Sequence, residues 1–193
     1  MATKEFVTYN PQSGSGNETI SVTVPQSEGK DRTTSLNITG SGVTKTVNIS
    51  QEGKGIYLRS ATSKFSENGD ISLNGNVIGK FSGQVFTYNN FISKNSTLSF
   101  IVSTSRTNYI GLDIFFGPNN PSTPDPQMKQ VKSIVLNNPT SGFDCYVVAS
   151  TYKYNVRLTY GASINDGFQT NYTVTFEDNS TVKILVTYKD RIN

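Results

Sequence analysis

The chain has no histidine, no tryptophan and a single cysteine among its 193 residues. Without histidine, Ser-His and Cys-His nucleophilic dyads and His-bound zinc sites are excluded by composition. With Cys145 alone, an internal disulfide framework is excluded too. Charge is also sparse, at 16% of residues with a net +3, and the lysines and arginines are scattered rather than gathered in a basic run. That distribution offers no footprint for a nucleic-acid partner. No apolar stretch approaches the length of a membrane span, so no membrane partner is expected. The start, MATKEFVTYN, lacks the apolar core of an export signal, which predicts a chain made and kept in the cytoplasm.

What is present is β-forming. Ten Tyr and eleven Phe supply bulky core material. Ser, Thr and Asn dominate the rest, and nowhere does an apolar 3.6-residue repeat persist. The clearest patterning lies in residues 6–52. Ile20-Val22-Val24, Leu36-Ile38 and Val43-Val47-Ile49 each alternate with polar residues, placing each apolar set on one face of a strand. Turn compositions separate them at Pro11 to Gly16, Gln26 to Arg32 and Gly40 to Gly42. Residues 1–5 read as a short polar arm. The segment Gln51 to Gly55 reads as a connector, which divides the chain into a module at 1–54 and a second domain at 55–193.

The second domain reads as eight to ten short strands, the pattern of a β-sandwich or jelly roll. Asn74-Gly75 between Ile71-Ser72-Leu73 and Asn76-Val77-Ile78 predicts a two-residue hairpin. Strands are expected at 83–88, 97–104, 108–116, 130–136, 143–149 and 152–160, with a closing hairpin around Glu177 to Ser180. The bulky run NYIGLDIFF predicts a strand buried on both faces. Pro118 to Pro126 cannot sit in a sheet and is expected as a long surface loop.

Chemistry is hard to place. The acids Glu67, Asp70, Asp113, Asp144, Asp166 and Glu177 could in principle form a carboxylate pair, but no spacing brings two together, and most sit in turn contexts. Asp70 to Gly75 has oxygen ligands at alternate positions before a glycine, yet the acidic ligand that a calcium loop needs falls on Phe81. No catalytic, cofactor-binding or metal-binding residue is assigned. Cys145, within FDCYVVAS, reads as a small buried hydrophobe. Tyr152, Tyr154 and Tyr160 share a strand face with Val156 and Leu158, so core packing outweighs a sugar-stacking platform there. Sequons such as Asn17-Glu18-Thr19 and Asn48-Ile49-Ser50 are what an Asn/Ser/Thr-rich chain produces by chance.

One family resemblance emerges. Pro11, Ser13 to Gly16, Thr19 to Pro25, Arg32 and the strand Val43 to Gln51 resemble the later part of a BACON domain, an immunoglobulin-like β-sandwich common in gut Bacteroidetes. The resemblance implies an all-β protein: a small, partial immunoglobulin-like module followed by a second β-sandwich. Because the family has earlier strands and a Trp ahead of this segment, it also implies a half-sandwich with an exposed edge. That edge would be covered by the second domain, another copy of the chain or a partner. Similar modules recur in virion proteins of crAss-like phages, which are made without export signals. The resemblance therefore implies a non-enzymatic virion protein, a head fibre or capsid decoration anchored by one module and projecting the other. Its expected partners are capsid or other virion proteins and further copies of itself in a dimer or trimer. The N-terminal arm and the module's edge are the expected attachment surface, and the Pro118–Pro126 loop the outward contact. The alternative is a carbohydrate-binding β-sandwich that recognises host or mucin glycans.

Overall fold

The computed structural model describes residues 2–27, 31–53, 55–64, 68–103, 110–118, 128–150, 152–160 and 164–189. The chain divides into two compact units, Met1–Lys54 and Gly55–Asn193.

The first unit holds five strands: β1 (Ala2–Lys4), β2 (Val7–Asn10), β3 (Ser21–Thr23), β4 (Arg32–Gly40) and β5 (Val43–Gln51). β1, β2 and β3 form an antiparallel sheet, and β4 and β5 form a separate hairpin. The polar arm expected at residues 1–5 is instead the edge strand β1. It pairs Ala2 with Tyr9 and Lys4 with Val7, reached through a tight turn in which Glu5 takes a positive φ of 53°. In β4–β5 the period-two pattern resolves into two contrasting faces. Leu36, Ile38, Val47, Ile49 and Val43 lie on one, while Thr33, Ser35, Asn37, Thr44, Thr46 and Asn48 lie on the other. The polar face is laced by Thr46 Oγ1 donating to Asn37 Oδ1 at 2.9 Å and by the Thr39–Thr44 hydroxyl pair at 2.9 Å.

The second unit holds eleven strands among its described residues: β6 (Ile56–Ser63), β7 (Asp70–Leu73), β8 (Asn76–Lys80), β9 (Val85–Ile92), β10 (Thr97–Ser103), β11 (Ile110–Phe116), β12 (Val131–Leu136), β13 (Phe143–Val147), β14 (Asn155–Tyr160), β15 (Gln169–Phe176) and β16 (Thr181–Lys189). They make a six-stranded sheet, β12-β15-β16-β10-β7-β8, and a five-stranded sheet, β13-β14-β11-β6-β9. All pairs are antiparallel except β10–β16, which run parallel in continuous register from Thr97–Lys183 to Ser103–Lys189. One core lies between the sheets, where Leu58, Ile71, Phe100, Ile114, Val156, Val174 and Ile184 are buried. Rings knit it together: Phe116 meets Phe176 edge-on at 5.2 Å, and Tyr160 meets Tyr188 at 4.5 Å.

The Asn74-Gly75 hairpin forms as expected, with positive φ at both residues (50° and 85°). The asparagine also fastens the neighbouring strand. Its Oδ1 accepts from Thr97 N at 2.8 Å and its Nδ2 donates to Ser96 Oγ at 3.3 Å. β11 departs from the expectation of burial on both faces. Leu112, Ile114 and Phe116 enter the core, while Asp113 and Phe115 are half-buried on the outward face under side chains of their own sheet. Of the Pro118–Pro126 loop, only Pro118 is among the described residues.

Candidate binding surfaces

The first unit is clamped at one end and open at the other. At the clamped end Arg32 Nε donates to Gln51 Oε1 at 2.7 Å across the β4–β5 pair. The same guanidinium donates to the Pro25 carbonyl beyond β3, which also accepts from Gln51 Nε2 at 3.0 Å. Arg32 lies 4.3 Å over the Phe6 ring, and Asp31 Oδ1 accepts from Gly53 N at 2.9 Å. Arg32 and Gln51 thus join the hairpin to the three-stranded sheet. Val7 on β2 and Leu36, midway along β4, are buried.

Toward the β4–β5 turn the cover runs out. Ile38, Val43 and Val47 on the hairpin's apolar face are 42%, 57% and 44% exposed, and Val22 on β3 is 42% exposed. A cleft of about 850 Å³ opens there, lined by Tyr9 and Ile20 on one side and by Leu36 and Ile38 on the other. The Pro11–Glu18 loop forms its rim, where Glu18 Oε1 accepts from Ser15 N at 3.2 Å. Among the described residues neither β4 nor β5 pairs with a third strand, so both nine-residue strands keep a free backbone edge.

In the second unit, the outward face of the five-stranded sheet is the distinctive surface. Arg157 Nε and Nη2 donate to Asp113 Oδ1 and Oδ2 at 2.6 and 2.7 Å, a bidentate fork between neighbouring strands. Tyr146 on β13 stands directly opposite Arg157 in the register of the two strands. Arg59, at a bulge in β6, lies 4.8 Å over the Phe115 ring and donates to the Pro118 carbonyl at 2.7 Å. Tyr57 and Phe91 face each other across β6 and β9 at 5.2 Å, with rings inclined by 71°.

The other acids considered above do not converge. Asp70 starts β7, Asp144 is the second residue of β13 with its Oδ1 accepting from Cys145 N, and Asp166 and Glu177 lie in turns. Glu67 lies outside the described residues. No group of three His, Cys, Asp or Glu side chains among the described residues could hold a metal ion. Cys145 points toward the core beside Phe143 and Val147 but is half-buried, and burial together with Asp144 pushes its thiol pKa up. Tyr154 and Tyr160 are 2% exposed and belong to the core, whereas Tyr152, expected on the same strand, lies ahead of β14 and is only half-buried. Sequence reasoning gave no outward face to Tyr57, Arg59, Phe91 and Phe115, because only the register of three strands, β6, β9 and β11, brings them together. No helix among the described residues is long and apolar enough to cross a membrane.

Both units are all-β, and the first leaves an apolar face exposed. Residues 1–52 match the model of the BACON family, described as "Putative binding domain, N-terminal". The match falls on the first unit alone and agrees with the BACON-like, immunoglobulin-like β module that the sequence resembled there. No curated protein and no solved structure matches the chain.

Proposed function

We propose that this chain is a non-enzymatic structural protein of a bacteriophage virion, a head-fibre or capsid-decoration protein. The first unit attaches it to capsid or other virion proteins, and the second unit is displayed. The observation that carries this reading is the uncovered apolar face of the β4–β5 hairpin, with Ile38, Val43 and Val47 open to solvent and a free edge on each strand. Such a surface suits strand addition, in which backbone hydrogen bonds give affinity and alternate side chains fill the adjoining cleft. A second copy of the chain, in a dimer or trimer, can share that attachment. The absence of histidine and the binding character of the BACON family support a non-enzymatic role.

Immunogold labelling with antibody to the chain, on particles from a lysed Bacteroides culture that carries it, tests the reading. Gold on heads is the expected result. Gold on tails moves the attachment to the receptor-contacting apparatus, and particles without gold overturn the virion reading.

A further inference from the structure

The two outward faces of the second unit differ in kind. On the six-stranded sheet the outward positions of β10, β15 and β16 carry Ser, Thr, Asn, Gln and Lys, with the aliphatic Ile101 and Leu185. No aromatic residue stands among them. Val77 on β8 and Val135 on β12, at the sheet's two edges, are 63% and 57% exposed, and neither strand adds an aromatic residue. On the five-stranded sheet four rings, Tyr57, Phe91, Phe115 and Tyr146, face outward, and each retains solvent-exposed surface. The Arg157–Asp113 fork lies among them, its two side chains 41% and 21% exposed. Rings held half-open to water lose the benefit of burial, so a face that gathers all of them needs a reason other than the core.

The chemistry of the face selects its occupant. Arg59 and Arg157 are matched by Asp113 and Asp144 on the strands of the same sheet, so its fixed charges balance. A polyanion gains little from such a surface. A protein interface would centre on a desolvated apolar patch with its charges at the rim. Here the charged fork lies between Tyr146 on β13 and the rings of β11, β6 and β9. What fits is a molecule with flat apolar faces and a rim of hydroxyls. Rings receive the faces, and planar Arg and Asp groups exchange hydrogen bonds with vicinal hydroxyls. With strands about 4.8 Å apart, the row from β13 to β9 spans roughly 19 Å, enough for several linked sugar rings.

We propose that the outward face of the five-stranded sheet binds a neutral oligosaccharide. Tyr57–Phe91, Phe115 and Tyr146 are the stacking surfaces, and the Arg157–Asp113 fork engages the hydroxyls. The inference deepens the glycan-binding reading of the chain and does not depend on virion attachment, which the gold labelling tests separately.

The test is an amide-resolved NMR titration of the full chain with neutral hexasaccharides of glucose, mannose, galactose and xylose, and with polygalacturonate as the acidic control. Saturable shifts confined to β6, β9, β11, β13 and β14 are expected with at least one neutral sugar. Tyr57→Ala and Tyr146→Ala should each weaken that binding about tenfold, equivalent to about 1.4 kcal/mol, with unchanged Tm. Thr173→Ala, on the opposite outward face, should leave it unaltered. The proposal is overturned if no neutral sugar gives saturable shifts, if only the polyanion does, or if the shifts map elsewhere. It is equally overturned if the Tyr57→Ala/Tyr146→Ala double variant binds like the native chain. A pull-down in which this face captures a capsid protein and no glycan makes it a protein interface instead.

Discussion

Asp178→Asn should be among the most damaging conservative changes in the second unit. Lys129 is almost wholly buried, its side chain 1% exposed, and its ammonium lies 2.7 Å from Asp178 Oδ2. No hydrogen-bond acceptor beyond this ion-pair partner serves that ammonium among the described residues. Asparagine preserves shape and can still accept from Ser180 N, as Asp178 Oδ1 does at 3.0 Å. It cannot neutralise the lysine. Breaking a buried pair from one side costs about 3–5 kcal/mol. Urea unfolding followed by circular dichroism should therefore show a loss of about 3–5 kcal/mol, and Tm should fall by roughly 10 °C. The Lys129→Met/Asp178→Asn double variant should return to within about 1 kcal/mol of the native chain, because no buried charge remains.

The same pair carries a pH signature. Burial alone would raise the Asp178 pKa, but bonds from Lys129 and Ser180 outweigh it and hold it below the usual carboxylate range. A depressed folded pKa contributes stability that is present above the unfolded value of about 3.9 and lost as pH falls through the folded one. Asp178→Asn should flatten that part of the acid limb. A single variant within about 1 kcal/mol of native would refute the reasoning, for it would mean that Lys129 reaches water. A double variant as unstable as the single would refute it too.

Three further outcomes follow from the fold. Phe176→Ala removes a fully buried ring that meets Phe116 edge-on and should cost about 3–5 kcal/mol in urea unfolding, whereas Val47→Ala, on the open face of the first unit, should cost under about 1 kcal/mol. Gly69→Ala should destabilise the second unit clearly in the same assay, since an added Cβ would fall 2.0 Å from the Ile101 carbonyl oxygen, a backbone atom that cannot swing away. Cys145 should react with iodoacetamide at pH 8 more slowly than a free cysteine, because its pKa is raised and its thiol half-buried.

Local signals carried much of this fold into view. Asn74-Gly75 announced its hairpin, and the spacing of Tyr154, Val156, Leu158 and Tyr160 correctly assigned that face to the core. The alternation in 20–49 located β3, β4 and β5. What escaped was set by distant pairing or by unusual backbone. β1 is three residues long and turns back through a non-glycine residue at positive φ, so nothing in Ala2-Thr3-Lys4 marks a strand. The parallel β10–β16 pair joins segments about 85 residues apart, and neither segment encodes the direction of its partner. The outward aromatic face was invisible for the same reason. Its residues come from β6, β9, β11, β13 and β14, and only the register aligns them. Arg32 and Gln51 stood out in the sequence only through the family likeness, and the structure supplies their physical role as the clamp at the closed end of the module.

Amide hydrogen exchange, compared between the free chain and the chain on intact particles, tests most directly whether the first unit is the attachment module. The account predicts protection gained on attachment over Arg32–Gly40 and Val43–Gln51, with the outward strands of the five-stranded sheet unchanged. Protection confined to the second unit, with the β4–β5 hairpin exchanging as freely on the particle as in solution, would contradict it.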